Sequence, residues 1–265
     1  MFNYFVDTAD IDYISKLDLA NRFDPVHMLG ITTNPNAMSK INHWSLDSWT
    51  QVLPKLCELV SSIRGDNLGQ VHVQAPNSHM TGDEVLKFAE YIYKFNDANT
   101  KLALKIPPTI SVLKRVDDIK VFMPVNVTGL SDCCSAFACL EHGVDYVSII
   151  PGRMEEVGID ANAHLRFITK RTGKGYHKVI TGSMRTVEGL LNAVRYHTIP
   201  TIGTRVWDKL VDFDLNNHQI DYYDEDTVEM FAPDINDDNR NLSTSFFYQM
   251  DGLGIQAYKD FLNNF

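Results

Sequence analysis

Short apolar, β-branched runs alternate along this chain with longer segments whose apolar residues recur at three- and four-residue intervals. The short runs predict strands at 2–7 (FNYFVD), 27–33 (HMLGITT), 70–75 (QVHVQA), 102–106 (LALKI), 121–128 (VFMPVNVT), 145–150 (DYVSII), 178–183 (KVITGS) and 198–203 (TIPTIG). The segments between them, DEVLKFAEYIYKF and TVEGLLNAVRYH among others, predict helices. Ser45, the pair Thr81 and Asp83, and Ser131 stand where helix starts are wanted. Strands each followed by a helix, repeated eight times, give the count of a (β/α)8 barrel, the TIM-barrel architecture. The alternative is an open doubly wound sheet, which usually has fewer strands and a glycine-rich first turn. Here the first turn reads DTAD. Neither an internal repeat nor a Gly-, Ser- or Pro-rich linker marks a second domain, so residues 1–265 are expected to form a single α/β barrel.

Composition narrows the function classes. A hydrophobic fraction of 44% with 22% charged residues supplies a core and excludes global disorder. No apolar run approaches the roughly 20 residues of a membrane-spanning helix. The start, MFNYFVDTAD, lacks the basic and long apolar regions of a signal peptide, so a cytoplasmic protein without a membrane partner is expected. With 24 basic against 34 acidic residues the net charge is −10, which argues against nucleic acid as a partner.

Ten carboxylates lie between Asp212 and Asp238 with no Lys or Arg among them, and they equal the whole net charge. The rest of the chain is therefore near neutral, and an anionic small-molecule substrate stays open wherever arginines converge. The stretch 212–245 is expected to be an acidic insertion. Its DFDLNN and DINDDN lack the sixth-place glycine and closing glutamate of a calcium loop. In 246–265, Ile255, Tyr258, Phe261, Leu262 and Phe265 fall at helical spacing and predict a terminal helix that docks on the barrel or on a neighbouring subunit. Cys57, Cys133, Cys134 and Cys139 form no CxxC pair and read as buried free thiols, and the nine histidines stand singly, so no metal site is expected.

Barrel active sites gather at the C-terminal ends of the strands. Those ends carry Asp7, Thr32, Thr33, Asn34, Gln74, Lys105, Asn126, Thr128, Ser148 and Ser183. Polar residues are common where loops begin, but Lys105 sits between Leu104 and Ile106 in an apolar strand. Lys101, four residues earlier at about 3.3 Å per residue, lies roughly 13 Å away at the strand entrance. Desolvation at the exit favours the neutral amine, the form that attacks a carbonyl to make a Schiff base. A snorkelling or salt-bridged lysine is the competing reading. Asp7 could move a proton on or off a sugar hydroxyl, and Asn34 and Asn126 could hold hydroxyls. Gln74 and Thr128 could position a water. Arg153, Ser183 and Arg185 suit a phosphate, unless the arginines are surface ion-pair partners.

The segments FVDTADIDYI, GITTNPN, LALKIPPT, NVT, DYVSIIPGRMEEVG and DGLGIQAYKDF together resemble the transaldolase family, in particular its short bacterial-type branch with the fructose 6-phosphate aldolases. The resemblance runs in order from residue 2 to about 206 and resumes near 251. It implies a (β/α)8 barrel without metal or other cofactor, Lys105 as the Schiff-base lysine and Asp7 as acid/base. It also implies that Asn34, Asn126 and Ser148 (with Thr33 beside them) contact the dihydroxyacetone unit, that Thr128 holds a relay water, and that Arg153, Ser183 and Arg185 bind a sugar phosphate. The implied reaction is transfer of a dihydroxyacetone unit between sugar phosphates in the pentose phosphate pathway, by a homo-oligomer.

The chain departs from that pattern in places. Gln74 stands where transaldolases have glutamate and the aldolases glutamine, Ile150 where transaldolases have phenylalanine and the aldolases tyrosine, Asn36 where serine is usual, and Met184 in place of an aromatic or aliphatic neighbour. Two other readings therefore stand beside transfer. One is an aldolase that releases free dihydroxyacetone, and the other is a catalytically weakened barrel that binds sugar phosphate.

Overall fold

The computed structural model describes residues 2–17, 27–39, 46–65, 67–96, 100–172 and 178–210. Eight parallel strands close on themselves in chain order: β1 (Tyr4–Asp7), β2 (Met28–Thr32), β3 (Gly69–Gln74), β4 (Thr100–Ile106), β5 (Val125–Leu130), β6 (Tyr146–Ile149), β7 (Val179–Thr181) and β8 (Ile199–Gly203). Phe5, Val6 and Asp7 of β1 pair with Thr201, Ile202 and Gly203 of β8, which shuts the ring. Helices fill the connections, as the alternating periods predict, and the fold is a (β/α)8 barrel. The acidic insertion at 212–245, the helix at 246–265 and Ser45 lie outside the described residues.

Why each segment takes its form is clear in the helix Gly82–Tyr93. Val85, Phe88, Ala89 and Ile92 are buried at helical spacing. Thr81 caps it reciprocally: its hydroxyl accepts from the Glu84 N–H while Glu84 accepts from the Thr81 N–H at 2.7 Å. For the helix Cys133–Glu141 the expected start at Ser131 moves by one residue. Asp132 is the cap, accepting from the Ser135 N–H at 2.7 Å, because its carboxylate reaches the first free amides.

The run VFMPVNVT becomes strand only from Val125. Phe122 and Met123 still donate to the Ile119 carbonyl as the tail of the helix Val116–Lys120, and Pro124 has no N–H for a ladder. The stretch SVLKRV splits into two short helices, Ile110–Leu113 and Val116–Lys120.

Side chains alternate across each strand, which separates two apolar regions. Outward residues such as Val71, Val73, Leu102 and Leu104 join the large core under the helices. Phe5, Ile180 and Ile199, with Leu29 and Tyr146 packed on them, form a smaller cluster that lines the barrel interior. Register sets the height of the polar residues above it. Gln74 pairs with Lys105, and Lys105 with Asn126, so three inward groups from β3, β4 and β5 stand on one level. The β5–β6 register slips between Val127 and Leu130, a rim irregularity that includes Thr128. Cys57, Cys133 and Cys139 are buried and Cys134 half-buried, all as free thiols. Burial pushes the Cys133 and Cys139 thiols up to about 12, so they stay protonated.

Candidate active site

Lys105 is 8% exposed, whereas Lys101 on the same strand face is exposed, as the strand direction requires. The Lys105 amine donates to the Thr33 carbonyl oxygen at 2.9 Å. Burial holds its pKa below the usual lysine value, and the nearby charge of Asp7 opposes that shift. Asp7 accepts from the Thr32 hydroxyl at 2.8 Å, which aims one carboxylate oxygen.

Asp7, Thr32, Asn34, Lys105, Thr128 and Ser148 line one cavity, together with Ile150, Gly182, Ser183 and Thr201. Its enclosed volume is about 30 Å³, room for one or two waters, so any larger ligand must extend toward the open end of the barrel. Asn34 turns its side-chain oxygen onto the Ala37 N–H at 2.9 Å, which leaves its amide nitrogen as the donor for a ligand. A larger groove of about 630 Å³ lies elsewhere, lined by Ile110, Leu113, Cys134 and Ala138 among others. It is mostly apolar and holds none of the residues just described.

Several expected residues do not reach the cavity directly. Thr33, expected to touch substrate, is fully buried outside the cavity lining. Its hydroxyl donates to the His72 carbonyl at 2.9 Å, and its own carbonyl holds Lys105. Asn126 is fully buried and meets the cavity through Ser148, whose hydroxyl donates to the Asn126 side-chain oxygen at 2.8 Å. Gln74 is fully buried beside Lys105, and neither of its amide atoms has a hydrogen-bond partner among the described residues. A buried amide left in that state calls for a small polar partner such as a water.

Arg153 and Arg185 lie outside the lining, and both pair with Glu156. Arg153 reaches one carboxylate oxygen at 3.0 Å and Arg185 the other at 3.2 Å. One carboxylate thus gathers two guanidinium groups beside Ser183. Ser183 itself has φ 54°, a left-handed conformation that non-glycine residues adopt at a cost of order 1 kcal/mol. Gly152 permits the approach, since a Cβ there would stand 2.4 Å from the Ser183 carbonyl oxygen.

A buried strand-borne lysine, an acid on the opening strand and paired arginines after β6 and β7 form a specific constellation. A family model described as "Transaldolase/Fructose-6-phosphate aldolase" matches residues 4–246. The chain belongs to this family. A "Probable transaldolase" of Streptococcus agalactiae is 28% identical over 164 residues, 62% of this chain and 66% of that protein. Another, of Myxococcus xanthus, is 24% identical over 196 residues, 72% of this chain and 78% of that protein. The chain therefore spans 66% of the length of the streptococcal relative. Among solved structures, the carboxyl transferase domain from Rhizobium etli pyruvate carboxylase superposes with a TM-score of 0.47 at 12% identity, over 76% of this chain and 40% of that one. A likeness of that size decides nothing about chemistry. No helix among the described residues is long and apolar enough to cross a membrane.

Within this family member, Thr201 also lines the cavity, although no motif marks it. More surprising is His72, fully buried below Asn126. Burial, aided by the Lys105 charge, lowers its pKa to about 3, so it is neutral at physiological pH. The strand alternation that puts Gln74 inside the barrel also puts His72 and Gln70 there, and this was the available signal.

Proposed function

We propose that this chain is a class I transaldolase that transfers a dihydroxyacetone unit from a ketose phosphate to an aldose phosphate through a Schiff base on Lys105. The observation that carries the reading is the Lys105 amine, buried and disfavoured as an ammonium, on the same cavity as Asp7. The neutral amine adds to the keto carbon, and loss of water gives an iminium. Asp7 then takes the proton of the hydroxyl two carbons from the iminium as the C–C bond breaks, releasing an aldose and leaving an enamine on Lys105. The enamine carbon attacks the acceptor aldehyde, Asp7 returns the proton, and hydrolysis frees the amine.

In this scheme Asn34, Asn126 and Ser148 hold the hydroxyls of the three-carbon unit, and Gln74 with Thr128 holds the water lost and regained. Arg153, Ser183 and Arg185 take the phosphate at the mouth, once Glu156 yields its partners. A cytoplasmic setting in the pentose phosphate pathway and a homo-oligomeric assembly go with the reaction.

Gln74 favours a second reading. The aldolase branch that the chain resembles has glutamine at that place; there the enamine carbon takes up a proton from water instead of attacking an acceptor aldehyde, and hydrolysis of the iminium releases free dihydroxyacetone. Incubation with fructose 6-phosphate and borohydride tests the shared chemistry: a reduced adduct mapped to Lys105 is expected, and its absence leaves only a binding barrel. Turnover without an aldose phosphate acceptor then separates aldolase from transferase, because only the aldolase runs fast alone.

A further inference from the structure

Below the cavity a chain of side-chain hydrogen bonds crosses the barrel. The Ser148 hydroxyl donates to the Asn126 oxygen at 2.8 Å, and the Asn126 amide nitrogen lies 3.1 Å from His72 Nδ1. His72 Nε2 lies 2.9 Å from the Gln70 side-chain oxygen, and the Gln70 amide nitrogen donates to the Tyr146 hydroxyl oxygen at 2.9 Å. With the Asn126 and Gln70 amides oriented as they are here, the donor rules leave one polarity. The Gln70 oxygen can only accept, so His72 carries its proton on Nε2. Nδ1 is then a lone pair, and it accepts from Asn126. The ring is clamped between Phe5 (centroids 4.6 Å apart) and Tyr146 (5.1 Å), both edge-on. Gly30, opposite Gln70 in register, makes room for β3: it has φ 150°, and a Cβ there would collide with the Gln70 carbonyl.

We propose that His72 is a positioning residue for the sugar site: as the neutral Nε2–H tautomer it fixes Asn126 and thereby makes Ser148 a hydrogen-bond acceptor on the cavity wall. Ser148 spends its proton on Asn126, so the lone pairs it shows the cavity recognise a donor, the hydroxyl of a carbohydrate. Neither Asn126 nor Ser148 can reverse its polarity while His72 keeps Nδ1 unprotonated. A cationic ring, or the Nδ1–H tautomer, would place two donors face to face at Asn126. The catalytic consequence rests on the Schiff-base reading, whereas the tautomer does not.

The test has two arms. Long-range ¹H–¹⁵N correlation on protein with ¹⁵N-labelled histidine reads the tautomer directly. A buried Nε2–H signal that does not titrate from pH 8 to 5 is expected, and an Nδ1–H or doubly protonated ring at neutral pH overturns the proposal. In the second arm, His72→Asn keeps an acceptor near the place of Nδ1, while His72→Phe keeps the ring packing without one. With fructose 6-phosphate as the probe, His72→Phe should raise KM about tenfold or more, with a borohydride adduct still formed on Lys105 at saturating sugar. His72→Asn should stay within about threefold of the parent. Equal KM losses in both variants, tracking a fall in Tm, would mean a packing role only and overturn the proposal. Should the unmodified protein trap no adduct, the Schiff-base reading fails while the spectrum still decides the tautomer; a His72→Phe that does not fold leaves the decision to the spectrum as well.

Discussion

The Lys105 amine and the Thr33 carbonyl oxygen stand 2.9 Å apart, a bond between the fourth strand and the residue just past the second. It gives the amine a neutral acceptor, while burial depresses the lysine pKa against the opposing charge of Asp7. With Asp7 near and Gln74 level with it in the ladder, the nitrogen has an acid, an amide and a cavity on one side.

Lys105→Met should abolish borohydride trapping and lower turnover by about a thousandfold or more. The same variant tests the pKa. Below the usual value of about 10.5 the folded protein binds this proton less well than the unfolded chain does, so parent stability rises with pH through the window between the folded value and 10.5. Denaturant unfolding from pH 7 to 10.5 should show the parent gaining on Lys105→Met. A constant difference would mean that the amine is solvated.

Asp7→Asn separates the two chemical steps. Its amide cannot take the hydroxyl proton, so turnover should fall by about 10²–10⁴-fold while the adduct on Lys105 still forms. Mass mapping after borohydride reads adduct formation. A variant that loses trapping and turnover in parallel would show that Asp7 serves only to hold Lys105.

The arginines make opposite predictions with their shared partner. Arg185→Ala should weaken phosphorylated substrates more than unphosphorylated ones, by about tenfold in KM. Glu156→Gln removes the carboxylate that occupies both guanidinium groups and should tighten phosphorylated substrates, although these are exposed pairs of modest strength. Equal effects on both substrate types would exclude a phosphate role.

For His72 the sign of the pH effect follows from its burial. Its folded pKa of about 3 lies below the ordinary 6.5, so the unfolded chain binds more protons between those values. Stability should therefore be lost progressively as pH falls from 6.5 toward 3, and His72→Asn should flatten that part of the curve. Thermal melts across this range check it.

Gly152→Ala should cost about 1–3 kcal/mol, because the new Cβ meets the Ser183 carbonyl oxygen at 2.4 Å and the Arg185 side chain at 3.0 Å. If Tm is unchanged, the loop is free to move aside and Ser183 needs no left-handed backbone.

What could be read along the chain was what neighbours along the chain decide. Each of the eight strands overlaps its predicted run, and the apolar flanks of Lys105 announced its burial, because side-chain period and local polarity are properties of a few consecutive residues. Strand ends were less legible where a proline and a helical tail competed for the same apolar run, as at Val121 to Pro124. Which polar groups meet was decided only by tertiary structure. Thr33 was withdrawn from the cavity to hold Lys105, Arg153 and Arg185 were joined through Glu156, and His72 was set beneath Asn126 from 54 residues away. Those meetings depend on ring closure and on the register between strands, which bring distant segments to one height. Local periodicity carries no record of either.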